Sequence, residues 1–495
     1  MTTVESLEQV YKVPIIAEKE KDGNSDDNVN EQCHSDSDSH SYILRGLQEE
    51  EVRPWSEFCA SVFSYKKNPP QADYFYRHYA NDPFKGSSQL IRVALCNNQI
   101  AGSCRIFLRT ISMPDTSGGK EDSDVNAANV KTFPFHLRAG GIGEVCTSIE
   151  HRRRGISTAL FKSAIAVMKE RGLHISSLHA APIFFPLYES MGYSSTTSGN
   201  RWSTVLLTTT STSLIAKSKD VDTNTIMTTT ESYSYCVVRP AKFPEDTEKL
   251  QKLHSRYSEE RLTGCIVRSS KDYWTNYLSQ ELEGSLFLLT LPAGKSESNA
   301  NDDDETILAW LSLQPTKLSL NGEKGHPGFQ IQEFGTNLSI PTSLAVGRLV
   351  ARSTAVTLRK GQPGDNSSNN AVAAECKCIT EDLTVWLKLP GFVRDEIRAE
   401  DRNSSKNDQF RFDWKSERTE VDNGWMYQAL LPPPNVDKTG VETGTYSDTN
   451  TNTDLAKTRA VASDFLEFVR KGSNAGKIAN HHMLREHFVW PSDSF

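Results

Sequence analysis

The sequence predicts an α/β (α+β) fold in two like-ordered halves, and three observations predict it. A strand–turn–helix–strand run fills Ala139 to Tyr193, two helices and a hairpin precede it, and the same opening order recurs after about residue 233. At 495 residues the chain has room for two or three domains, each able to bury a core.

The central run carries the strongest pattern. Ile142-Gly143-Glu144-Val145-Cys146-Thr147 is short, apolar and β-branched, as a buried strand should be. A basic turn follows, Arg152-Arg153-Arg154-Gly155-Ile156-Ser157, with Ser157 and Thr158 opening a helix. Along that helix Ile156, Leu160 and Ala164, then Phe161, Ile165 and Met168, recur at three- and four-residue steps and give one apolar face. Gly172 stops it, and Ile175–Ala180 forms the second strand of a βαβ unit. The turn suits an anion. Free backbone N–H groups and the positive dipole end gather at a helix start, and glycine lets a bulky anion come close. Arginines add charge-assisted hydrogen bonds to phosphate oxygens. Without an anion they would oppose the dipole and add little stability.

Upstream, residues 1–41 are acidic, rich in Ser and Asp and poor in large apolar residues after Ile16, which predicts disorder. Helices are expected over Pro54–Tyr65 and Asp73–Tyr79. Leu90–Leu95 and Ile100–Leu108 flank Asn97-Asn98, a hairpin signature. Met113–Lys131 is polar and glycine-bearing and reads as an inserted mobile loop, and Trp202–Leu207 as a strand closing the first domain. This gives a first domain over 42–207. A Thr/Ser-rich linker spans 208–232.

The second domain, 233–431, opens on the strand-like Tyr235–Pro240. Helices bearing Leu250, Leu253, Tyr257 and then Tyr273, Trp274, Tyr277, Leu278 follow, with strands Ser285–Leu291 and Ile307–Leu313 around an acidic loop. Leu344–Val350, Leu383–Leu389 and Gly424–Leu431 supply its later part, which lacks any Arg-x-x-Gly turn. This half is therefore expected to wall a substrate cleft rather than bind the anion. Residues 432–495 form a linker and a tail whose aromatic end, His487 to Phe495, should dock on something.

A net charge of −8 and a pI near 5.9 make no general case for a nucleic-acid or membrane partner. Nine cysteines without regular spacing argue against a disulfide framework. Cys376-x-Cys378 has no second pair to complete a metal site, and the His481-His482 pair lies in a polar segment, so no metal is expected. There is no apolar run of about 18 residues and no apolar leader, so the expected location is cytoplasmic, or alternatively nuclear. Oligomeric state is not encoded in any of these patterns.

Arg152-x-x-Gly155-x-Ser157 resembles the Gln/Arg-x-x-Gly-x-Gly/Ala signature of the GNAT superfamily of acyl-CoA-dependent N-acyltransferases, with Ser at the last position. Phe185-Pro-Leu-Tyr188-Glu-Ser-Met-Gly192-Tyr193 is similar to the family's later aromatic helix. The two-half layout resembles the Eis-type acetyltransferases and the fungal lysine N6-acetyltransferases, although no third domain fits after Leu431. The resemblance implies a mixed central sheet flanked by helices and acetyl-CoA as acyl donor. It also implies that Val145, Cys146 and Thr147 hold the pantetheine arm, and that Arg152, Arg153, Arg154, Gly155, Ile156, Ser157 and Thr158 hold the diphosphate.

Acetyl transfer to an amine needs a neutral amine, a polarised thioester and a protonated leaving thiolate. Glu144, beside the acyl site, is the candidate general base. Tyr188 is the candidate general acid by resemblance, and the Phe495 carboxylate is an alternative base. His179, at the end of the second core strand, is either a substrate contact or a satisfied core histidine. The expected acceptor is an amine: a small amine or free lysine, an aminoglycoside-like polyamine, or a protein lysine or N-terminus. A scaffold protein that binds coenzyme A without turnover is the alternative.

Overall fold

The computed structural model describes residues 9–12, 41–66, 69–113, 135–196, 200–209, 233, 235–282, 284–292, 305–320, 323–360, 383–403, 410–422, 424–430 and 458–467. They form two mixed sheets flanked by helices. The first half contributes β1 (Gln9–Lys12), β2 (Ser41–Gly46), α1 (Val52–Val62), α2 (Ala72–Ala80), β3 (Ile91–Cys96), β4 (Gln99–Met113), β5 (Phe135–Thr147), α3 (Ile156–Glu170), β6 (Ile175–His179), α4 (Phe185–Ser190), β7 (Ser194–Ser195) and β8 (Asn200–Thr209). The second half opens with β9 (Val237–Pro240), α5 (Thr247–His254), a π-helical turn over Tyr273–Leu278 running into α6 (Ser279–Glu281), and β10 (Leu286–Leu291). It continues with β11 (Thr306–Leu320), β12 (Glu323–Thr336), α7 (Thr342–Lys360), β13 (Leu383–Pro390), α8 (Gly391–Asn403), β14 (Phe410–Asp422) and β15 (Trp425–Ala429).

The sheets are ordered β1-β2-β3-β4-β5-β6-β15-β7 and β14-β8-β13-β12-β11-β10-β9. Each has one parallel junction, β5–β6 in the first and β12–β13 in the second, spanned by α3 and α7 respectively. The halves trade one strand each. β8 leaves the first half to lie between β13 and β14, and β15 returns from the second to lie between β6 and β7. Trp202–Leu207 therefore joins the second sheet rather than the first, the expected boundary at 207 cuts through β8, and β15, expected in the second domain, lies in the first sheet. Local apolar content marks these segments as strands but does not name their neighbours.

Local chemistry explains the first half's frame. The hairpin turns on Asn97 (φ 49°) and Asn98 (φ 61°), both left-handed, as a two-residue turn between twisted strands requires. On one face of the sheet α1 and α2 bury Trp55, Cys59, Phe75 and Tyr79 against Ile91, Val93 and Cys146. The Trp55 indole donates to Ser103 Oγ at 2.7 Å. On the other face α3 buries Leu160, Phe161 and Ala164 over Cys104, Ile106 and Ile142. Each large apolar side chain there contributes about 1.5–3 kcal/mol. Gly102 admits the helix closely, since a Cβ there would stand 2.8 Å from Ile156 Cγ2.

Two expectations about the chain ends change. Disorder over 1–41 fails at Gln9–Lys12, which pair antiparallel with β2. The tail docks through a helix at 458–467, whose Ala462, Phe465 and Leu466 pack on Ile175, Trp425 and Tyr427. The aromatic end including Phe495, the 113–131 loop beyond Met113, Cys376-Cys378 and His481-His482 lie outside the described residues.

Candidate functional site

The site forms where β5 parts from β6. Their ladder covers Ala139–Ile142 against Ile175–Leu178 and goes no further, although β5 runs on to Thr147. At that point β5 bulges. Ser103 faces Cys146 and Arg105 faces Gly143, so Glu144 and Val145 together oppose Cys104. Glu144 takes the left-handed φ of 52°, uncommon for a side-chain-bearing residue, and the extra residue turns the strand and re-aims its side chain. Glu144 and Cys146 thus face α1 and α2, while Val145 packs on the α3 side.

Glu144 is buried in a charged network. Its Oε1 lies 3.2 Å from His78 Nδ1, and Arg105 Nη1 donates to both carboxylate oxygens at 3.4 Å. Arg105 also donates to Asp82 at 3.3 Å, and Arg109 donates to both Asp82 oxygens at 3.1 and 2.9 Å. Burial alone would lower the Arg109 guanidinium, but the Asp82 charge outweighs it and raises its pKa. Two carboxylates meet two guanidiniums, so the cost of burying the four charges is offset within the cluster. His78 Nε2 is hydrogen-bonded to Tyr277 Oη of the second half.

The basic turn lies at the start of α3. Gly155 is its N-cap at φ 73°, with open space where a Cβ would be and no side-chain cap on the first turn. Arg152 and Arg153 are exposed. Arg152 Nε donates to Thr147 O at 3.2 Å, and Arg154 Nη1 donates to Tyr42 Oη at 3.3 Å. Thr147 Oγ1 and Ser157 Oγ, 3.1 Å apart, tie the strand end to the helix start. Ile156 is buried in the core, and Cys146 turns inward to Cys59, with Sγ atoms 3.8 Å apart. Of these two residues only the backbone could meet a ligand. The arrangement suits a phosphate-bearing molecule with an extended arm along the unpaired edge of β5.

Residues 124–196 match the family described as acetyltransferase (GNAT) domain. The chain carries a GNAT domain. An uncharacterised N-acetyltransferase of Streptomyces avermitilis is 31% identical over 98 residues, which cover 18% of this chain and 23% of that relative. The chain thus matches about a quarter of that relative's length. Among solved structures, a probable N-acyltransferase of Enterococcus faecalis covers 79% of this chain and 72% of its own at 10% identity, TM-score 0.43. Eis1 of Mycobacterium abscessus covers 79% and 73% at 12% identity, TM-score 0.41.

In the GNAT domain Tyr188 sits on α4, half-buried, its ring 5.2 Å from Phe161 and 6.3 Å from Tyr193. Burial pushes its phenol up to about 12, with Cys104 adding to the rise. It belongs to the α3 side of the sheet, opposite the face that Glu144 presents. His179, the last residue of β6, is not a core residue: its Nε2 pairs with Asp422 at 3.0 Å on a partly exposed surface. Sequence reasoning missed His78, Asp82, Arg105 and Tyr277. Arg105 and Arg109, four apart on one face of the otherwise apolar strand β4, were the available signal. Charges at such positions demand buried partners.

Proposed function

We propose that the protein is an acetyl-CoA-dependent N-acetyltransferase that transfers the acetyl group directly to an amine. The observation that carries this reading is the gap beside the β5 bulge, with an anion-ready helix start and a buried phenol on one face and a carboxylate on the other. Bound acetyl-CoA supplies the thioester. The N–H groups of Gly155–Thr158, with Arg152, Arg153 and Arg154, would hold its diphosphate, and the backbone of Val145–Thr147 its arm. The acceptor arrives from the α1–α2 face, where Glu144 takes the ammonium proton so that nitrogen can attack.

Tyr188 acts on the leaving sulfur from the α3 side. A phenol near 12 stands well above an ordinary thiol at about 8.5, so a full proton transfer to the thiolate is uphill. Tyr188 therefore contributes as a hydrogen-bond donor to the sulfur as charge develops. The chain's net charge of −8 mildly favours a cationic acceptor, among which small amines, polyamines and lysine side chains are the classes to screen. The decisive experiment follows thiol release from acetyl-CoA across that amine panel, with wild type and Glu144→Gln compared. Amine-dependent release that Glu144→Gln abolishes supports the transferase; binding of acetyl-CoA with no release for any amine would leave a scaffold instead.

A further inference from the structure

We infer that Tyr277, carried by the second half, anchors the Nε2 side of the His78 ring and thereby holds the ring in the orientation that aims the Glu144 carboxylate. The inference rests on Glu144 being the base, and it makes the second half a positioning element of the first half's site.

His78 is buried to 5% side-chain exposure and held by rings on three sides. Tyr74 stacks on it at 5.5 Å and 18°, Tyr277 at 5.3 Å and 30°, and Phe107 lies 5.5 Å away at a tilt. Both ring nitrogens have partners, Glu144 at Nδ1 and Tyr277 Oη at Nε2. An ionised carboxylate can only accept, so Nδ1 must carry the proton. In a neutral imidazole Nε2 is then a bare acceptor, and the Tyr277 hydroxyl must donate to it. The reverse tautomer would set two acceptors against each other at 3.2 Å. Burial pushes the Tyr277 phenol strongly up, with Arg109 opposing and Asp82 and Glu281 reinforcing the rise, so the hydroxyl keeps the proton it donates.

The second half is built to deliver this contact. A π-helical turn spans Tyr273–Leu278; Tyr273 stacks on Tyr277 within it at 5.1 Å, and Tyr277 reaches His78 of α2. Asn81 Nδ2 donates to Gln280 Oε1 at 2.7 Å across the same seam. A cavity of about 190 Å³ beside them is lined by His78 and Tyr277, with Arg77 and Glu281 also on its wall. The charged and titratable groups facing His78 are thus Glu144 and Arg105 on one side, Tyr74 and Tyr277 on the others, and Arg77 and Glu281 around the cavity.

The test labels the full chain with ¹⁵N-histidine and assigns the His78 signals among its 12 histidines by their loss in His78→Asn. Near neutral pH the wild type should show Nδ1 protonated and Nε2 bare, and Tyr277→Phe should keep that tautomer while its Nε2 signal moves to that of an acceptor nitrogen without a donor; an unmoved Nε2 signal would overturn the inference. An Nε2–H tautomer or an imidazolium in the wild type would overturn the inference. Turnover of acetyl-CoA with the best amine of the panel gives a second reading. Tyr277→Phe should lower kcat about 5- to 10-fold with acetyl-CoA affinity kept, and should add nothing in a His78→Asn background, where the ring that Tyr277 anchors is gone. Independent, additive losses would overturn it while Glu144 stood as base. A Glu144→Gln enzyme with full turnover would instead remove the base itself.

Discussion

The two halves repeat one plan, yet the helix that spans the parallel junction of each begins very differently. At α3 the first turn has no side-chain cap, Gly155 leaves open space, and arginines stand alongside. At α7 the place is taken. Glu400 of α8 accepts from Thr342 N at 2.6 Å and Ser343 N at 2.8 Å, and Glu396 accepts from Thr342 Oγ1 at 2.9 Å. A carboxylate is itself an anion at a helix N-terminus, so the second half supplies internally what the proposed function assigns to a ligand in the first. The strands repeat the contrast. Glu333, beside the irregularity in β12, is locked to Arg268 at 2.6 and 3.2 Å, both groups almost wholly buried. Glu144 is held by Arg105 at only 3.4 Å and by a histidine. One scaffold thus carries a closed copy that supports and an open copy equipped for chemistry.

The largest expected effect would break this comparison at the two strand carboxylates. Glu144→Gln should lower acetyl transfer about 10²- to 10⁴-fold, the usual worth of a general base, with the fold intact. Glu333→Gln should do the opposite, costing about 3–5 kcal/mol of stability because Arg268 loses its buried counter-charge. Transfer per folded molecule should not change. Denaturant unfolding and steady-state kinetics on both variants check the pair, and a Glu333 variant that is stable but inactive would erase the distinction.

Next come the helix starts. Arg154→Ala should weaken acetyl-CoA binding by about tenfold, as expected for one charge-assisted hydrogen bond of about 1.5–3 kcal/mol in a partly solvated site. Gly155→Val should weaken it too, through backbone strain at φ 73° rather than a clash, because nothing occupies the space its Cβ would take. Glu400→Ala should create no second site and should cost about 0.5–2 kcal/mol, the worth of a lost N-terminal cap. Calorimetric titration with acetyl-CoA measures all three. Two equivalents bound by Glu400→Ala would mean that α7 was only masked.

How much of this was legible depended on range. The Asn97-Asn98 hairpin and the Arg-x-x-Gly turn were readable because a left-handed φ or a helix start is decided within a few residues. The strand exchange was not, since the apolar runs of β8 and β15 mark them as strands and nothing in those runs names the neighbour. The Glu144 network was half legible: Glu144 could be singled out, but His78 lies 66 residues before it, and Tyr277 is separated from His78 by 199. Only the tertiary fold brings them together. The plug at α7 was equally hidden, because Glu400 reaches it from 58 residues downstream.

The smallest predicted effect separates Tyr188 from an ordinary exposed tyrosine. Its protonated form is favoured by burial, so the folded pKa, about 12, lies above the ordinary 10.0. The associated stability is complete below pH 10 and is lost as pH rises from there through 12, because over that span the unfolded chain gives up the proton first. An absorbance titration of phenolate formation should lose one late-titrating group in Tyr188→Phe, and the variant's stability should fall less steeply over the same span. Tyr74 and Tyr79 also titrate near 12, so the variant removes one part of a shared late phase rather than the whole of it. If the missing group instead titrates near 10, the phenol is solvated, and Tyr188 loses the desolvated setting in which its hydrogen bond to sulfur would be strong.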